Sequence, residues 1–556
     1  MKRMKSVLAM LLALMMLFSL AACGSETQET QTEAPATEAP ADDGNESTET
    51  PDDTQEPSGE TGATTLETLR LGIYGDATYT GTFDPSGAWA GTGAGYGVVF
   101  TVYDTLFYID STGEYNTRTV ESYEWTDDTT LVIQLKDGIM FSNGTQLTGK
   151  DVLYSLGLMQ NSGMRSGYYT PFDIDSSSYS DDGLTITLKT FEPYAAYYAG
   201  LDFAIVSADY MESMGGGDNM DWYDPAQVVG SGPYTCTELV SGASATYVKR
   251  DDYWGLEYGY DDIYENIEVT QYTDQTTMCI DFETGALDVA IDLSVQDYDR
   301  LAADTSDNFE TKLINSNVVY QLVFDSNNNE YLQNATVREA LCHAVDTASL
   351  CTAVAGTFGV YADSMFGKNE IGYVGGLDYE YDPELSRSLL EEAGYGDGFT
   401  LHFATIGSEP YTTIAEIVQG YFAEVGVTVE IESLELATFI SSSSTPGFTD
   451  MQIYTMTGGN PSGEPVVHLD NWYPDSTSPV MTRGEEYEEL LIGGETSLDE
   501  ETRAEYYAQL QQLWHDNFDG VPLYEYSKGY VYNTDVFEDL TVASSTVLWL
   551  FDAKLK

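Results

Sequence analysis

One stretch, residues 141–156, organises the prediction of the fold; it reads Phe-Ser-Asn-Gly-Thr-Gln-Leu-Thr-Gly-Lys-Asp-Val-Leu-Tyr-Ser-Leu. Its dipeptide Asn143-Gly144 favours a tight turn, because both residues tolerate positive φ. The apolar run just before it, residues 131–135, has the composition of a strand. We therefore expect the chain to leave a strand, turn sharply and reverse its direction.

A helix is predicted to follow that turn. Thr148 is placed to accept a hydrogen bond from an early helical N–H, and Asp151, three residues later, completes a capping-box pattern. The apolar residues that follow recur at helical spacing and would share one face: Val152, Leu156 and Met159. The stretch thus predicts a strand, a turn and a capped helix, a unit that many α/β domains contain.

The composition predicts a folded and strongly acidic protein. Of 556 residues, 42% are hydrophobic and 13% aromatic, which is enough to bury a core in about two to four domain-sized units. The chain has 21 Lys and Arg against 92 Asp and Glu, a formal net charge of -71. Because this charge repels a phosphate backbone, nucleic acid is excluded as a partner, and solubility outside the cell explains the charge best.

The N-terminal residues have the three parts of an export signal. A basic start precedes an apolar run, residues 7–20, and small residues then lead to Cys23. A transmembrane helix is the alternative, but the run is short for spanning a membrane. We predict a signal peptide at residues 1–22 and lipid attachment at Cys23, which places the protein on the extracytoplasmic face of the cell membrane.

Residues 23–65 are predicted to form an acidic, disordered tether. After the cysteine this segment consists largely of Glu, Thr, Pro, Ala and Ser and has no Lys or Arg. It cannot bury a core, and its like charges keep it extended. Such a spacer lets a lipid-anchored domain reach partners in the membrane.

Several further segments follow one another in a fixed order: Tyr103-Asp-Thr-Leu106, Gly230-Ser-Gly-Pro-Tyr234, Tyr253-Trp-Gly255, Gly285-Ala-Leu-Asp-Val289, and the predicted helices at 337–346 and 381–395. Together with residues 141–156 they resemble the large solute-binding proteins of peptide-type ABC importers, the extracellular solute-binding family 5. The matches run from about residue 66 to residue 526, which is nearly all of the predicted folded part.

The resemblance implies an α/β fold of two lobes, the periplasmic-binding-protein-like type with an extra subdomain in lobe one and two crossing hinge strands. Lobe one would combine residues 66–315 with 521–556, and lobe two would be residues 316–520. Strands and helices predicted to alternate between residues 400 and 454 agree with an α/β lobe. The resemblance also implies a monomer whose partner is an ABC permease in the membrane.

No catalytic residue, metal site or cofactor is predicted. The acids at 173–182 lack calcium-loop spacing, and Ser231 lies in Gly-Ser-Gly-Pro rather than in a nucleophile elbow. The histidines lie in separate segments without a His-Glu-x-x-His pattern: His343, His402, His468 and His515. The cysteines after Cys23 are predicted to be free thiols that serve as small apolar residues: Cys236, Cys279, Cys342 and Cys351.

Two segments carry the predicted ligand-binding residues. The Gly-rich loop at 87–97 lacks the Gly-Lys-Ser/Thr ending of a phosphate cradle, and we expect Trp89 and Thr92 to contact ligand there. In the second segment, residues 451–465, a strand runs into a Gly/Pro loop, and the resemblance implies that its edge hydrogen-bonds an extended ligand. Its predicted contacts, with one aromatic residue farther on, are Tyr454, Thr457, Gly459, Asn460, Glu464 and Trp472.

Two departures from the resembled pattern bear on the ligand. Dipeptide binders carry Thr-Gly-Asp-Asn, whose acid holds the ligand's amino terminus, but this chain has Gly459 at the acid position. Glu464 is then either a substitute or a solvated side chain. No Lys or Arg occurs between Arg387 and Arg483, so this interval offers no cation for a ligand carboxylate. Free dipeptides are therefore disfavoured.

The sequence thus predicts a receptor that captures an extended solute, above all an oligopeptide, between two lobes and delivers it to an ABC importer. A receptor for an oligosaccharide or another neutral solute is the alternative, in which Trp89 or Trp472 would stack on a sugar. An extracellular hydrolase, left open because some of the many carboxylates could pair, or a surface adhesin is the third hypothesis.

Overall fold

The computed structural model describes residues 66–75, 81–85, 101–109, 115–161, 166–258, 264–306, 308–443, 452–458, 463–469, 472–473, 483–540 and 554–556. The chain divides into two units, Met1–Thr61 and Gly62–Lys556, and every described element lies in the second. No helix among the described residues is long and apolar enough to cross a membrane.

The described residues form strands numbered here in chain order: β1 Leu66–Tyr74, β2 Phe107–Ile109, β3 Tyr115–Thr117, β4 Val120–Asp127, β5 Thr130–Leu135, β6 Ser178–Tyr179, β7 Thr185–Lys189, β8 Tyr234–Val240, β9 Ser244–Lys249, β10 Tyr264–Tyr272, β11 Val289–Leu293, β12 Phe309–Phe324, β13 Gly359–Tyr361, β14 Phe399–Ile406, β15 Val427–Leu434, β16 Ile453–Gly458, β17 Gly520–Asn533, β18 Phe537–Asp539 and β19 Lys554–Leu555.

Their α-helices are α1 Gly149–Gln160, α2 Ser166–Tyr169, α3 Ala208–Met214, α4 Gln275–Glu283, α5 Val295–Ala302, α6 Ala335–His343, α7 Thr347–Ala355, α8 Pro383–Glu392, α9 Tyr411–Glu424, α10 Leu436–Ser443, α11 Val466–Leu469, α12 Glu485–Thr496 and α13 Glu500–Asp516.

An 11-stranded mixed sheet runs through the molecule in the order β15-β14-β16-β12-β17-β11-β1-β10-β9-β8, with β13 paired to β17 at the side. Its longest strands, β12 with 16 residues and β17 with 14, pair antiparallel from Phe309 to Val323. A separate four-stranded sheet, β4-β5-β7-β6, packs with α1. The molecule is therefore the mixed α/β protein that the sequence predicts.

Two large apolar cores lie at opposite ends of the long strand pair. One core takes Ile314 and Tyr530 from β12 and β17, with residues from β1 to β11; the other takes Leu322 and Leu523, with residues from α6 to β16. Because one strand pair supplies both cores, β12 and β17 cross from one lobe to the other. The lobe boundaries at residues 66–315 plus 521–556 and 316–520 remain our proposal.

The stretch at 141–156 is built as predicted. The side chain of Asn143 accepts hydrogen bonds from the backbone N–H (3.0 Å) and hydroxyl (2.7 Å) of Thr145, and Gly144 has φ of 80°. The N–H and hydroxyl of Thr148 donate to Asp151 Oδ2 at 2.8 and 2.9 Å, and α1 begins at the next residue. The predicted apolar face is fully buried: Val152, Leu156 and Met159.

Two of the ordered sequence motifs, which lie far apart along the chain, contact each other in the folded protein. This contact gives a physical reason for their occurring together. The buried carboxylate of Asp104 accepts hydrogen bonds from Trp254 Nε1 at 2.7 Å and from Arg118 Nε at 3.1 Å. The Arg118 guanidinium also donates to the hydroxyl of Tyr253. The Tyr-Asp and Tyr-Trp-Gly segments, about 150 residues apart, therefore share one buried ionic network.

Two predicted elements have different bounds in the structure. The helix expected at 337–346 ends at His343, and Asp346 instead caps α7, its carboxylate accepting from Ser349 N–H at 2.9 Å. An aspartate satisfies early helical N–H groups best from the cap, so a second helix starts there. The strand predicted at the start of residues 451–465 begins at Ile453 and continues to Gly458. The described cysteines are free thiols, as predicted.

Thr148→Ala is expected to lower the free energy of unfolding by about 1 kcal/mol, because the hydroxyl contact with Asp151 is lost from the cap of α1. Urea unfolding followed by tryptophan fluorescence would measure the change. Thr352→Ala is a matched control, because the Thr352 hydroxyl bonds only to a carbonyl of its own helix, and we expect a change within about 0.5 kcal/mol. An altered ligand preference in folded Thr148→Ala would contradict a purely structural role.

Candidate functional site

Strand β16 has one edge that is only partly used by the sheet. Along β12 it pairs over its whole length, from Ile453 opposite Phe324 to Gly458 opposite Val319. Its pairing with the parallel strand β14 is limited to Ile453 and Tyr454. Within the described residues, the edge at 455–458 that faces away from β12 therefore has no strand partner.

Past Tyr454 the two parallel strands are no longer paired, although β14 stays paired with β15. β14 keeps its register with β15 up to Ile406 opposite Leu434, and the chain then turns into α9. The side chain of Tyr411, at the start of α9, lies close to that of Thr457. The unpaired edge of β16 thus lies at the carboxyl ends of β14 and β16, the kind of place where open α/β sheets commonly bind ligands.

Gly458 allows a loop of the chain to approach the end of β16. A Cβ atom there would lie 2.0 Å from Gln321 Nε2, whose amide donates to the carbonyl of Met365 at 2.6 Å. The loop that starts at Met365 is held again where Asn369 N–H donates to Asn317 Oδ1 at 3.0 Å. A side chain at this position would displace the Gln321 amide from its hydrogen bond to Met365.

Arg483 contacts two of the predicted ligand-binding residues, Tyr454 and Trp472. Tyr454 is fully buried, burial raises its pKa to about 12, and its hydroxyl is hydrogen-bonded to Arg483. The Arg483 guanidinium carbon lies 4.9 Å from the centre of the Trp472 ring. Trp472 also packs edge-on against Tyr487 at 5.8 Å and is 2% exposed, so its ring lies within a core.

Glu464 lies apart from these residues and is not solvated. Its carboxylate, 3% exposed, accepts a hydrogen bond from the Arg503 guanidinium, which also donates through Nε to the carbonyl of Gly494 at 2.7 Å. Thr457 stays half-buried at the edge of β16. The other predicted contacts and the lipid site lie outside the described residues: Cys23, Trp89, Thr92, Gly459 and Asn460.

The fold brings two arginines to this region, although the interval between Arg387 and Arg483 contains no Lys or Arg. Arg483 and Arg503 come from beyond the interval, and both meet carboxylates: Arg503 pairs with Glu464, and Arg483 Nε lies 3.9 Å from Asp519 Oδ2. One feature of the sequence, the scarcity of Lys and Arg, could have drawn attention to these arginines. Arg503 is the only Lys or Arg between Arg483 and Lys528 in a chain with very few cations.

Three buried polar side chains near the end of β16 were not predicted. Glu370 Oε2 accepts from Gly367 N–H at 2.9 Å, and its Oε1 lies 3.5 Å from His468 Nδ1. Burial raises the pKa of Glu370 well above its usual value, helped by the charges of Glu464 and Glu525. Burial lowers the pKa of His468 to about 3 and raises the pKa of Glu525, which is 1% exposed.

This region borders the first apolar core. Val466 packs against that core, and Ala195 N–H donates to the carbonyl of Glu495 at 2.9 Å. Burial raises the pKa of Tyr194 and the charge of Glu464 raises it further, so these two residues are close neighbours. Residues 194 and 195 therefore lie near the segments that carry Glu464 and Glu495. Over the described part of the chain, no group of three or more His, Cys, Asp or Glu residues could hold a metal ion.

Sequence comparison relates the chain to known transport proteins. A family model described as "Bacterial extracellular solute-binding proteins, family 5 Middle" matches residues 114–479, more than half of the chain. The heme-binding protein A of Haemophilus influenzae is 26% identical over 357 residues, which are 62% of this chain and 63% of that protein. The dipeptide-binding protein of Escherichia coli is 26% identical over 432 residues, 71% of this chain and 78% of that protein.

Comparison with solved structures agrees on the fold. HbpA2 from Haemophilus parasuis superposes with a TM-score of 0.75 at 20% identity, covering 88% of this chain and 100% of that one. A dipeptide-binding protein from Pseudoalteromonas sp. SM9913, solved with Met-Leu, gives a TM-score of 0.70 at 19% identity over 88% and 100% of the two chains. The two-lobed α/β fold predicted from the sequence is confirmed.

Proposed function

The chain belongs to the bacterial extracellular solute-binding proteins, family 5, and on this premise we propose that it is a receptor, not an enzyme, that delivers a captured solute to an ABC importer. Its solute is an extended oligopeptide, held between the lobes outside the cytoplasm. One observation carries this choice: the edge of β16 at residues 455–458 has no strand partner among the described residues.

An extended peptide suits such an edge because its backbone can continue the sheet. Peptides that add to a sheet edge gain affinity from main-chain hydrogen bonds and specificity from pockets for alternate side chains. The neighbours of the edge, Thr457 and Tyr411, are polar and half-buried. Relatives named for dipeptide and glutathione are also consistent with a peptide, although others are named for heme and nickel.

The arginines near the site favour a longer peptide over a free dipeptide. Short ligands are commonly held by both ends, and the carboxylate end needs a cation with free hydrogen-bonding capacity. Arg503 is bound to Glu464, and the Arg483 guanidinium lies 3.9 Å from Asp519 Oδ2 and against the ring of Trp472. Main-chain bonds along β16 would then supply most of the affinity.

The cellular setting is part of the same proposal. A signal peptide at residues 1–22, lipid attachment at Cys23 and a tether at 23–65 would hold a monomer at the extracytoplasmic face of the membrane, next to its permease. Mass spectrometry of the mature N-terminus tests the anchor directly. An unmodified Cys23 would contradict it.

N-methylation of the backbone of a peptide ligand is expected to abolish most of the thermal stabilisation that the peptide gives to the protein. Penta-alanine should raise the thermal midpoint of the purified protein, because a ligand that binds only the folded state stabilises it. Penta-alanine N-methylated at alternate residues keeps its side chains but loses donors to a sheet edge, so its shift should be much smaller. Differential scanning calorimetry measures both, with maltopentaose as the control solute.

Two outcomes would contradict the proposed function. Equal midpoint shifts from the two peptides would rule out recognition through the main chain. A shift with maltopentaose and none with any peptide would replace the oligopeptide by a neutral sugar.

A further inference from the structure

One tyrosine at the start of α9 stands beside the unpaired edge of β16. The side chain of Tyr411 lies close to that of Thr457, which belongs to the part of β16 that pairs with no second strand among the described residues. Both side chains are half-buried, so part of each surface is open to a ligand. Tyr411 is therefore placed to touch a peptide that lies along this edge.

The backbone at Tyr411 is fixed by hydrogen bonds on both sides of the residue. The hydroxyl of Thr405, near the end of β14, donates to the carbonyl of Tyr411 at 3.1 Å. The carboxylate of Glu409 accepts from the hydroxyls of Thr412 and Thr413, each at 2.6 Å, which closes the first turn of α9. The segment that carries the Tyr411 ring is thus ordered before a ligand arrives, which limits the entropy that binding costs.

Two further tyrosines support the ring of Tyr411 from behind. The ring centre of Tyr320, on β12, lies 5.5 Å from that of Tyr411, and Tyr320 stacks on Tyr524 of β17 at 4.8 Å with 15° between the planes. The three strands pair so that Tyr320 lies between Thr457 and Tyr524. Because β12 and β17 lie one and two strands farther from the edge, Tyr320 and Tyr524 position Tyr411, and its ring alone of the three extends to the edge.

The alternation of side chains along a strand decides which ligand residue meets Tyr411. Side chains directly opposite each other on neighbouring strands project from the same face of a sheet. Tyr320 packs against the apolar core that also buries one side of α9, so Tyr411 and Thr457 lie on that face. A ligand residue beside Thr457 would therefore project toward Tyr411, and its two neighbours in the peptide would project away from it.

The surroundings of Tyr411 are aromatic and uncharged at neutral pH. Burial raises the pKa values of Tyr320 and Tyr411, and the side chains that influence them are those of Tyr526, Thr457 and each other. Both oxygens of Glu409, the acid nearest along the chain, are engaged in the first turn of α9. A charged ligand side chain would lose water here without a described partner of opposite charge, whereas an aromatic ring would gain apolar burial and ring contacts.

We propose that Tyr411 is a specificity-determining residue, which selects an aromatic side chain in the ligand residue beside Thr457. The inference rests on the proposed function as a peptide receptor, and it narrows the substrate class to peptides that carry an aromatic residue at one position. Main-chain bonds along β16 would hold any extended peptide. The ring of Tyr411 would add the preference through edge-to-face or offset stacking.

Peptides that differ in one side chain test this preference on the unaltered protein. Penta-alanine is compared with three relatives whose central residue is phenylalanine, cyclohexylalanine or lysine. Isothermal titration calorimetry should show at least about 10-fold tighter binding of the phenylalanine peptide than of penta-alanine, because of the apolar surface that it buries. The phenylalanine peptide should also bind about 2- to 10-fold tighter than the cyclohexylalanine peptide, which has nearly the same size but no aromatic ring. The lysine peptide should gain no affinity.

The variant Tyr411→Leu should remove the preference for phenylalanine over cyclohexylalanine, and Tyr411→Phe, which keeps the ring, should retain it. The ratio of the two dissociation constants is the readout, because a purely structural defect would weaken both peptides alike. Tyr421→Leu is the matched control, since Tyr421 lies on the same helix and its ring packs against Tyr381 at 5.9 Å. The control should keep the ratio of the unaltered protein. If Tyr411→Leu does not fold, the peptide comparison still decides the question.

The outcomes separate the subsite from the proposed function. Equal affinities of the phenylalanine and cyclohexylalanine peptides, tightest binding of the lysine peptide, or an unchanged ratio in Tyr411→Leu would overturn the subsite and leave a peptide receptor. Tighter binding of every peptide to Tyr411→Leu would show that the ring obstructs the edge, which also overturns it.

If no peptide binds, the peptide function fails, and N-acetylphenylalanine amide tests the subsite alone. A rise in the thermal midpoint of the unaltered protein but not of Tyr411→Leu would support the subsite. No rise in the unaltered protein, or an equal rise in both proteins, would overturn it.

Discussion

Gly230→Ala is expected to lower the free energy of unfolding by about 3 kcal/mol or to prevent folding, a large effect for one methyl group. An added Cβ would lie 1.9 Å from the carbonyl oxygen of Val102, a backbone atom that cannot rotate away. That oxygen accepts from Gly232 N–H at 2.9 Å, and the carbonyl of Gly230 accepts from Ser142 N–H at 2.8 Å. A backbone shift that relieved this clash would therefore break the hydrogen bonds that join three of the sequence motifs.

Guanidinium unfolding followed by near-ultraviolet circular dichroism measures this loss. Gly420→Ala is the matched control, since Gly420 lies on an exposed position of α9 with no heavy atom within 4 Å of an added Cβ. Alanine there should stabilise the helix by up to about 1 kcal/mol. A loss below about 1 kcal/mol for Gly230→Ala would show that the backbone at Val102 adjusts easily.

Arg503→Met is expected to lower the free energy of unfolding by about 3–5 kcal/mol. The change leaves the carboxylate of Glu464, 3% exposed, without its counter-charge and removes the donor to the carbonyl of Gly494. Urea unfolding measures the loss. Glu464→Gln combined with Arg503→Met should be more stable than Arg503→Met alone, because no buried charge then remains unpaired.

An exposed ion pair provides the comparison for this prediction. Arg300 donates to Glu283 at 2.7 Å, but its side chain is 48% exposed, so Arg300→Met should cost less than about 1 kcal/mol. Similar losses for Arg300→Met and Arg503→Met would mean that burial does not strengthen the Glu464–Arg503 pair. A double variant less stable than Arg503→Met would likewise contradict the argument.

Local patterns predicted the local structure well. The turn at Asn143-Gly144 and the cap at Thr148 depend on residues within a few positions of each other, and the structure has both. The prediction for residues 337–346 was less accurate, because helical periodicity continues across the junction while Asp346 begins a new helix. The spacing of apolar residues indicates which face of a helix is buried. It does not indicate whether the helix continues through Asp346 or whether Asp346 caps a new helix.

The candidate site was predicted only in part. Residues 451–465 were identified as the strand and loop of the site, and β16 lies there. The state of Glu464 could not be decided from the sequence, since its partner Arg503 is 39 residues away on α13. The absence of Lys and Arg between Arg387 and Arg483 describes a distance along the chain, and Arg483 and Arg503 reach the region through space.

The sequence alone determined the family resemblance, the α/β class and the capped helix at 141–156, because these follow from ordered motifs and from residues a few positions apart. Only the tertiary structure decided that β16 keeps an edge that no described strand pairs with, and that Glu370 lies beside His468. Those neighbours are set by how β12, β14 and β16 pair. Hydrophobic periodicity buries a face of each strand without specifying which distant segment it will meet.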